Sequence, residues 1–363
     1  MDENELRKAA QDWIAPGRSQ TDPVSNDLVW KPAQSTAAFD SQKLTDAIHR
    51  EFSEPDKDHL RRTRAVLIAY EGRLISERYA PGISSDTPLQ GWSATKSVIN
   101  ALSGILVKQG RLHRKRGNLV PEWSDRKDPR SEITLDQMLR MSSGLEFDET
   151  AGALVTDLTQ MLLGEQDASA FALAKPLQHA PNSHWYYSSG TSNIISRILR
   201  NAAGGAAHLT NLAYSELFEP LGIAKAIIEP DASGNLIGSS FMYATAREWA
   251  TFGQLYLQDG KWNGRRILPE GWVKYSSTPT PTAPKGEYGA HFWTNGGAKS
   301  KQEDRPFPKL PGDLFYASGY KGQRVIIIPS HKLVIVRLGW GDGYSMEPLV
   351  TDVLAAKSKG LRP

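Results

Sequence analysis

A serine and a lysine three residues apart stand at the start of an apolar segment. The sequence there reads Ser93-Ala94-Thr95-Lys96, and three residues is slightly less than one helical turn, so both side chains project to the same side of a helix. A serine hydroxyl is a poor nucleophile until a base takes its proton, and a lysine amine with a lowered pKa can be that base. The positive field of a helix N-terminus would favour negative charge developing at Ser93. Alone the pair is weak evidence, because Ser-x-x-Lys recurs by chance and a helical lysine is usually solvated.

A second segment places aromatic residues before a run of small polar ones. Residues 185–187 read Trp-Tyr-Tyr, and residues 188–193 read Ser-Ser-Gly-Thr-Ser-Asn before an amphipathic helix. Such a turn can present Tyr187 to a cleft, where a phenol near a lysine ammonium could relay protons to a leaving group. The alternative is that the aromatic side chains belong to the core and the serines only cap the helix. We expect Tyr186 to lie in the core.

A third segment brings glycines to the start of an apolar strand. Residues 317–323 read Ala-Ser-Gly-Tyr-Lys-Gly-Gln, and glycine before a strand lets a ligand approach the strand edge. A free backbone N–H there, paired with that of Ser93, would form an oxyanion hole. A plain glycine turn would look the same.

Strand patterns lie near both ends of the chain. Residues 64–70 and 74–79 read as one hairpin, and residues 323–328 and 333–338 as another. Between them, the 3.6-residue apolar stripe of residues 93–109 predicts a buried helix. The pattern predicts an α/β (α+β) fold, with one antiparallel sheet built from both chain ends, flanked by helices and carrying an inserted all-helical domain.

The pattern of strands and helices also predicts the domains of the chain. Residues 1–38 form an N-terminal extension, residues 39–110 and 235–363 form the α/β sheet domain, and residues 111–234 form the inserted helical domain. Capping boxes that begin at Thr134 and Thr245 each predict the start of a helix.

Composition narrows the function classes. The 363 residues carry a formal charge of +3, and the one basic run, residues 113–116, is short, so nucleic-acid binding is not expected. Absence of cysteine excludes disulfides, thiolate nucleophiles and cysteine-based zinc sites. No apolar run approaches the ~20 residues that cross a bilayer. The acidic start lacks the features of a secretory leader, which predicts a cytoplasmic protein as the chain is written, or a periplasmic one if a leader has been removed.

Competing catalytic patterns fit poorly. The run Gly91-Trp92-Ser93-Ala94-Thr95 lacks the last glycine of a Gly-x-Ser-x-Gly elbow. No His-Glu-x-x-His occurs, so zinc catalysis is not expected. We expect Glu146 and Asp148 to lie on a solvated face rather than to form a glycosidase dyad.

Taken together, the three segments resemble the penicillin-recognising serine hydrolases, in particular the class C β-lactamase-like group. That group has a Ser-x-x-Lys motif, a Tyr-x-Asn-type motif and a Lys/His-Thr-Gly-type strand motif in this order, and residues 139–145 and 249–255 resemble it too. The likeness spans roughly residues 60–350. It implies a β-lactamase/transpeptidase-like fold, with Ser93 as the nucleophile, Lys96 as the activating amine and Tyr187 as the proton relay. The N–H groups of Ser93 and Tyr320 would form the oxyanion hole.

Departures from the family pattern point to one branch of it. Ser189 stands where β-lactam-specialised members usually have asparagine, and Ala317-Ser318-Gly319 replaces the basic Lys-Thr-Gly. Lys321 is nearby but out of register. In these respects the chain is more similar to the carboxylesterase and 6-aminohexanoate-dimer hydrolase branch.

The expected function is therefore hydrolysis of small esters or amides through an acyl-enzyme on Ser93, with no metal or organic cofactor. A β-lactamase or D-Ala-D-Ala peptidase, and an acylated sensor module that does not turn over, remain alternatives. The partner would be a small-molecule substrate, while the acyl preference and the oligomeric state stay open. The expected substrate-binding residues are Trp92, Trp185, Ser189, Ser318, Gly319, Tyr320 and Lys321.

Overall fold

The structure is a computed structural model that describes residues 38–125, 127–151, 155–297 and 301–357. The helices are α1 (Ser41–Glu51), α2 (Thr95–Lys108), α3 (Leu135–Leu139), α4 (Asp157–Thr159), α5 (Ala168–Leu173), α6 (Ser189–Ala203), α7 (Ala206–Leu212), α8 (Ala246–Leu257), α9 (Trp272–Ser277) and α10 (Glu347–Ala356). The strands are β1 (Thr63–Tyr70), β2 (Arg73–Tyr79), β3 (Leu89–Gln90), β4 (Ile227–Ile228), β5 (Met242–Ala244), β6 (Lys261–Trp262), β7 (Arg265–Arg266), β8 (Trp293–Thr294), β9 (Phe315–Gly319), β10 (Gln323–Ile328) and β11 (Leu333–Gly339).

The main sheet has six strands in the order β2-β1-β11-β10-β9-β8, and every neighbouring pair is antiparallel. Both expected hairpins form. The first turns through Glu71 and Gly72, which both have positive φ, as a two-residue turn between twisted strands requires. Strand β11, from near the end of the chain, lies between β1 and β10. The prediction of one antiparallel sheet built from both chain ends is confirmed.

The two faces of the sheet pack against different helices. Side chains alternate along a strand, so Val325 and Ile327 face one core while Ile326 and Ile328 face the other. The first core includes residues of α2 and α8 and is the larger of the two, and the second includes residues of α1 and α10. The sheet is thus covered on both sides, which explains the unbroken apolar runs at residues 65–69, 325–328 and 333–336.

Helix α2 runs through the larger core. Every residue from Thr95 to Leu106 is buried, so this helix has no solvent-facing stripe until its last two residues. A helix that is surrounded in this way is fixed in position on all sides. The residues at its N-terminus are therefore held by the core of the molecule rather than by a loop.

Both capping boxes are present. The hydroxyl of Thr134 accepts from the N–H of Gln137, whose side-chain oxygen accepts from the N–H of Thr134 at 2.8 Å. Thr245 and Glu248 are paired in the same way at the start of α8.

Residues 111–234 are predominantly helical. They differ from an all-helical insert in one short strand, β4, which pairs with β5, while β5 also pairs with β3. The division of the chain at residues 110 and 234 stays a prediction. The N-terminal extension lies outside the described residues except for Ala38. Over the described ranges, no helix combines the length and the apolar character needed to cross a membrane.

Candidate active site

Ser93 lies in a single turn of 3₁₀-helix, Trp92–Ala94, directly before α2. The residue before it, Trp92, has a φ of 47°, which is uncommon for a residue with a side chain and costs conformational energy. The turn is held from both sides. The hydroxyl of Thr95 donates to the carbonyl oxygen of Trp92 at 2.7 Å and accepts from the N–H of Met242 at 3.1 Å. The candidate nucleophile therefore sits on a strained turn that the surrounding residues keep in place.

Lys96 is buried, with 1% of its surface exposed. Its Nζ lies 3.1 Å from Ser93 Oγ, 3.0 Å from Ser189 Oγ and 2.9 Å from the carbonyl oxygen of Ser239. Burial lowers the pKa of Lys96 to about 8, and the opposing charge of Glu149 limits that fall. A neutral amine is thus accessible near neutral pH, within hydrogen-bonding distance of the serine hydroxyl.

Tyr187 stands over Lys96, whose Nζ is 4.8 Å from the centre of the phenol ring. The ring packs against Trp293 and Tyr288, with centroid separations of 5.5 Å and 5.8 Å. Burial and the negative charge of Glu149 raise the pKa of Tyr187 well above its usual value, while its hydrogen bond with Ser93 lowers it. The phenol therefore keeps its proton in the resting site. The structure brings Ser93, Lys96 and Tyr187 together as the sequence predicts, although their catalytic roles stay a prediction.

Glu149 also reaches this cluster, and the sequence reasoning missed it. The N–H of Ser189 donates to Glu149 Oε2 at 2.6 Å, and the hydroxyl of Ser189 donates to Oε1 at 2.5 Å. Burial raises the pKa of Glu149, while Lys96 and the hydrogen bonds from Ser189 lower it. Its neighbours Glu146 and Asp148 are exposed, as expected. Nothing in the spacing distinguishes the third acidic residue of this loop from the other two.

His291 contacts the backbone of Lys96 and the side chain of Ser192. Its Nδ1 is 2.9 Å from the backbone carbonyl of Lys96, which can only accept, so Nδ1 carries the hydrogen. Its Nε2 is then free to accept from the hydroxyl of Ser192, 3.3 Å away. Burial and the charge of Lys96 lower the pKa of His291 to about 3, so the ring is neutral. No sequence pattern points to His291, which lies 195 positions from its partner.

The end of β9 lies against the nucleophile turn. A Cβ on Gly319 would overlap the carbonyl oxygen of Gly91, so only glycine allows this approach. Strand β8 pairs with β9 only at Phe315 and Tyr316. Beyond them, at Ser318 and Gly319, the edge of β9 has no β8 partner and runs toward the candidate nucleophile. The contact between Gly319 and Gly91 brings Tyr320, the residue after Gly319, close to the turn that holds Ser93, where the two N–H groups are expected to form an oxyanion hole. That assignment stays a prediction.

Aromatic rings flank the cluster on one side. The indole of Trp92 contacts the rings of Tyr320, Trp340 and Phe241, with centroid separations of 5.7, 5.9 and 6.2 Å. Tyr320 is 41% exposed, so this wall is open to solvent at one end.

A second group of rings lies on the side of Tyr187. Trp185 contacts Tyr288 and Trp293, with centroid separations of 5.8 and 6.4 Å. The expectation that Tyr186 belongs to the core is wrong, because it is 44% exposed. Adjacent residues in extended chain point to opposite sides, so turning Tyr187 inward turns Tyr186 out.

Two cations lie near Ser318. Lys321 has a φ of 58° and its ammonium forms an ion pair with Asp342 at the surface, so its expected role in substrate binding has a competing partner and stays a prediction. Arg324 stands opposite Ser318 across the β9–β10 ladder. Its guanidinium donates to the carbonyl oxygens of Gly319 and Gln323 at 3.3 and 2.8 Å. Within the described ranges, no carboxylate forms an ion pair with Arg324.

Comparison with known proteins identifies the family. Residues 48–354 match the beta-lactamase family model. The chain is 22% identical to the 6-aminohexanoate-dimer hydrolase of Paenarthrobacter ureafaciens over 307 residues, covering 77% of this chain and 73% of that protein. Two solved structures share the fold. A family VIII carboxylesterase matches with a TM-score of 0.65 at 14% identity, over 87% of this chain and 97% of that one. A penicillin-binding protein homologue from Caulobacter crescentus matches with a TM-score of 0.64 at 17% identity, over 87% and 97% of the two chains. This chain, in which a buried lysine lies against Ser93, is thus a serine hydrolase that belongs to the beta-lactamase family.

Proposed function

We propose that this enzyme cleaves small ester or amide bonds through a covalent acyl-enzyme on Ser93. The observation that carries the proposal is the contact between Ser93 Oγ and the buried amine of Lys96 at 3.1 Å. Burial lowers the pKa of that amine to about 8, so it can accept the hydroxyl proton.

Acylation begins when neutral Lys96 takes the proton of Ser93 and the serine oxygen attacks the substrate carbonyl carbon. The carbonyl π electrons move to oxygen, and the N–H groups of Ser93 and Tyr320 stabilise the resulting oxyanion. Collapse of this intermediate re-forms the carbonyl and breaks the bond to the leaving group.

Tyr187 delivers the proton that the departing alkoxide or amine requires. Its raised pKa keeps the phenol protonated in the resting site. Lys96 then returns the proton it took from Ser93 to the phenolate, which restores Tyr187 and the neutral amine. Water attacks the acyl-serine in the second half-reaction, with the same groups moving protons in reverse order.

The substrate class follows from the relatives and from the walls of the site. One relative is a 6-aminohexanoate-dimer hydrolase and a structural neighbour is a carboxylesterase, and we extend linear amide and ester hydrolysis to this chain. The rings of Trp92 and Trp185 favour an apolar acyl or leaving group. Trp92, Trp185, Ser318, Gly319, Tyr320 and Lys321 are proposed to contact this substrate, whereas the hydroxyl of Ser189, also expected to do so, is engaged by Lys96 and Glu149. A cytoplasmic location stays a prediction.

The test is an intact-mass and turnover experiment with p-nitrophenyl acetate. We expect an acetyl adduct that maps to Ser93, and we expect Ser93→Ala to abolish both the adduct and turnover. Ser103→Ala removes a buried hydroxyl from α2, the helix that follows Ser93. That hydroxyl donates to the backbone carbonyl of Ile99, and the variant should retain activity. Turnover by Ser93→Ala at the wild-type rate would contradict an acyl-enzyme mechanism on Ser93.

A parallel panel separates the alternatives. Hydrolysis of simple esters and linear amides with little action on nitrocefin supports the proposal. Nitrocefin turnover near that of esters would favour a β-lactamase, and a stoichiometric burst without steady-state turnover would favour a sensor module.

A further inference from the structure

Glu149 is a carboxylate that the mechanism above does not use, although it faces the catalytic lysine through one intervening hydroxyl. We propose that Ser189 relays a proton between Lys96 and Glu149, so that Glu149 stores the lysine proton while Lys96 acts as the base toward Ser93. This inference rests on the proposed function, because it assigns a role within the same acyl-transfer reaction.

The hydrogen bonds form a continuous chain in one direction. Lys96 Nζ donates to Ser189 Oγ at 3.0 Å, and Ser189 Oγ donates to Glu149 Oε1 at 2.5 Å. The carboxylate accepts through both oxygens, because Oε2 receives the backbone N–H of Ser189 at 2.6 Å. This second bond holds the carboxylate against the hydroxyl. Ser189 Oγ itself accepts one hydrogen bond, from Lys96, and donates one, to Glu149. A hydroxyl in that position can pass a proton without moving any heavy atom.

The proton transfer balances within the three residues. The Lys96 ammonium gives one N–H proton to Ser189 Oγ as the Ser189 proton passes to Glu149 Oε1. An ammonium and a carboxylate become an amine and a carboxylic acid, and the hydroxyl is unchanged. The sum of charges is zero before and after, so no proton is exchanged with solvent. The amine is then free to accept from Ser93.

Burial favours the neutral forms of Lys96 and Glu149 over the charged forms. Lys96 is 1% exposed, and separate charges in a low-dielectric site are penalised more than neutral groups are. Consistent with this, burial lowers the pKa of Lys96 and raises that of Glu149, so each group moves toward its neutral state. The carboxylate thus lets the amine become neutral while its proton stays within the site.

The relay requires a hydroxyl at position 189 and an ionisable group at position 149. We therefore expect Ser189→Ala and Glu149→Gln each to lower the rate of single-turnover acylation by about 10², the lower end of the range for a lost proton-transfer group. Ser189→Thr keeps the hydroxyl and should recover most of the rate. Because both variants interrupt one path, the double variant should be no slower than the slower single variant.

The pH profile separates a relay from a structural role. Ser189→Ala keeps the charges of Lys96 and Glu149 but blocks transfer between them, so Lys96 must lose its proton to solvent. The acidic limb of the acylation rate should then move up toward the pKa of Lys96, about 8. A purely structural role would lower the plateau and leave the limb in place. Glu146→Gln, which neutralises an exposed carboxyl in the same loop, is the matched control and should change neither.

Three results would overturn the relay: wild-type acylation in Ser189→Ala, additive losses in the double variant, or Ser189→Thr no faster than Ser189→Ala. If the variants at position 189 do not fold, Glu149→Gln decides the question. Acylation at the wild-type rate by that variant, folded by circular dichroism, also excludes the relay. Failure of the proposed function is distinguishable, because Ser93→Ala would then remain active whatever the variants at 189 and 149 do.

Discussion

Gly319, the last residue of β9, approaches the backbone of Gly91 so closely that any Cβ at position 319 would overlap the Gly91 carbonyl oxygen. This contact joins the strand that is proposed to supply one oxyanion-hole N–H, at Tyr320, to the turn that supplies the other, at Ser93. The spacing of the two N–H groups therefore depends on a contact between two glycines.

Substitution of Gly319 tests this dependence. Gly319→Ala must displace backbone rather than a flexible side chain, so the two N–H groups should separate. We expect kcat to fall by about 10²–10³, the loss typical of one oxyanion-hole donor. Gly82→Ala, at a position with open space around it but a φ of 79°, should cost some stability and keep kcat. Equal kcat for Gly319→Ala and wild type, with both folded by circular dichroism, would exclude the proposed hole.

The pH dependence of ester hydrolysis reports the state of Lys96. The free amine is the base, and burial lowers the pKa of Lys96 to about 8. We therefore expect kcat/KM to rise through about pH 8 where Lys96 loses its proton to solvent, as in Ser189→Ala, and at lower pH in the wild type, where Glu149 takes that proton. Lys96→Arg keeps a positive charge that cannot be removed and should be inactive at every pH. A rate that decreases with rising pH over this range would argue against an amine base.

The role of Tyr187 depends on the leaving group. We expect Tyr187→Phe to lower kcat by about 10² or more for alkyl esters and amides, whose leaving groups need a proton. The loss should be much smaller for p-nitrophenyl esters, because p-nitrophenolate leaves unprotonated. Tyr70→Phe removes a phenol hydroxyl from a ring that packs against Phe39 in the core on the other face of the sheet, and serves as the control. Identical losses for both classes of ester would point to a packing role for the Tyr187 hydroxyl.

Buried neutral His291 predicts loss of stability in acid. Its pKa is about 3 in the folded protein, whereas that of an unfolded histidine is about 6.5. Between these values the unfolded state binds the proton more readily, so the free energy of unfolding falls as pH decreases from about 6.5 to 3. Over this whole range the free energy of unfolding should fall by about 4–5 kcal/mol, at about 1.4 kcal/mol per pH unit.

Urea unfolding at pH 7 and pH 4 measures this effect. His291→Asn retains a side-chain donor toward the carbonyl of Lys96 but does not titrate. We expect it to be less stable at pH 7 and to lose less stability on acidification. A steeper acid dependence in the variant than in the wild type would contradict the neutral ring.

Arg324 gives a prediction about substrate charge. Arg324 pairs with Ser318 across the β9–β10 ladder. Its guanidinium donates to the carbonyl oxygens of Gly319 and Gln323, and no described carboxylate forms an ion pair with it. We expect a preference for esters that carry a carboxylate over matched neutral esters, and Arg324→Gln should reduce kcat/KM for the anionic ester only. Arg73→Gln, at an exposed position on β2, is the control. Equal losses for anionic and neutral esters would mean that Arg324 only supports the backbone of Gly319.

Local patterns explain what the sequence predicts well. The hairpins, the capping boxes at Thr134 and Thr245, and the placement of Ser93 and Lys96 all depend on residues a few positions apart. Side-chain alternation and helical period act at that range, so they can be read directly from the sequence.

Residues that reach the site from afar could not be found in the same way. Glu149 contacts Ser189 across 40 residues, and His291 contacts Lys96 across 195. No periodicity links such pairs, and only the packed fold brings them together. The error at Tyr186 has a different cause, since composition alone cannot tell which of two adjacent tyrosines points inward.

The position of β11 at the centre of the sheet has a consequence for synthesis of the chain. Arg337 in β11 binds Thr63 in β1, 274 residues earlier. At about 5–20 residues per second, the ribosome needs on the order of tens of seconds to deliver the second strand to the first. During that interval the β1–β2 hairpin carries an unpaired apolar edge, and nascent chains that stall before residue 333 should be the ones that chaperones bind.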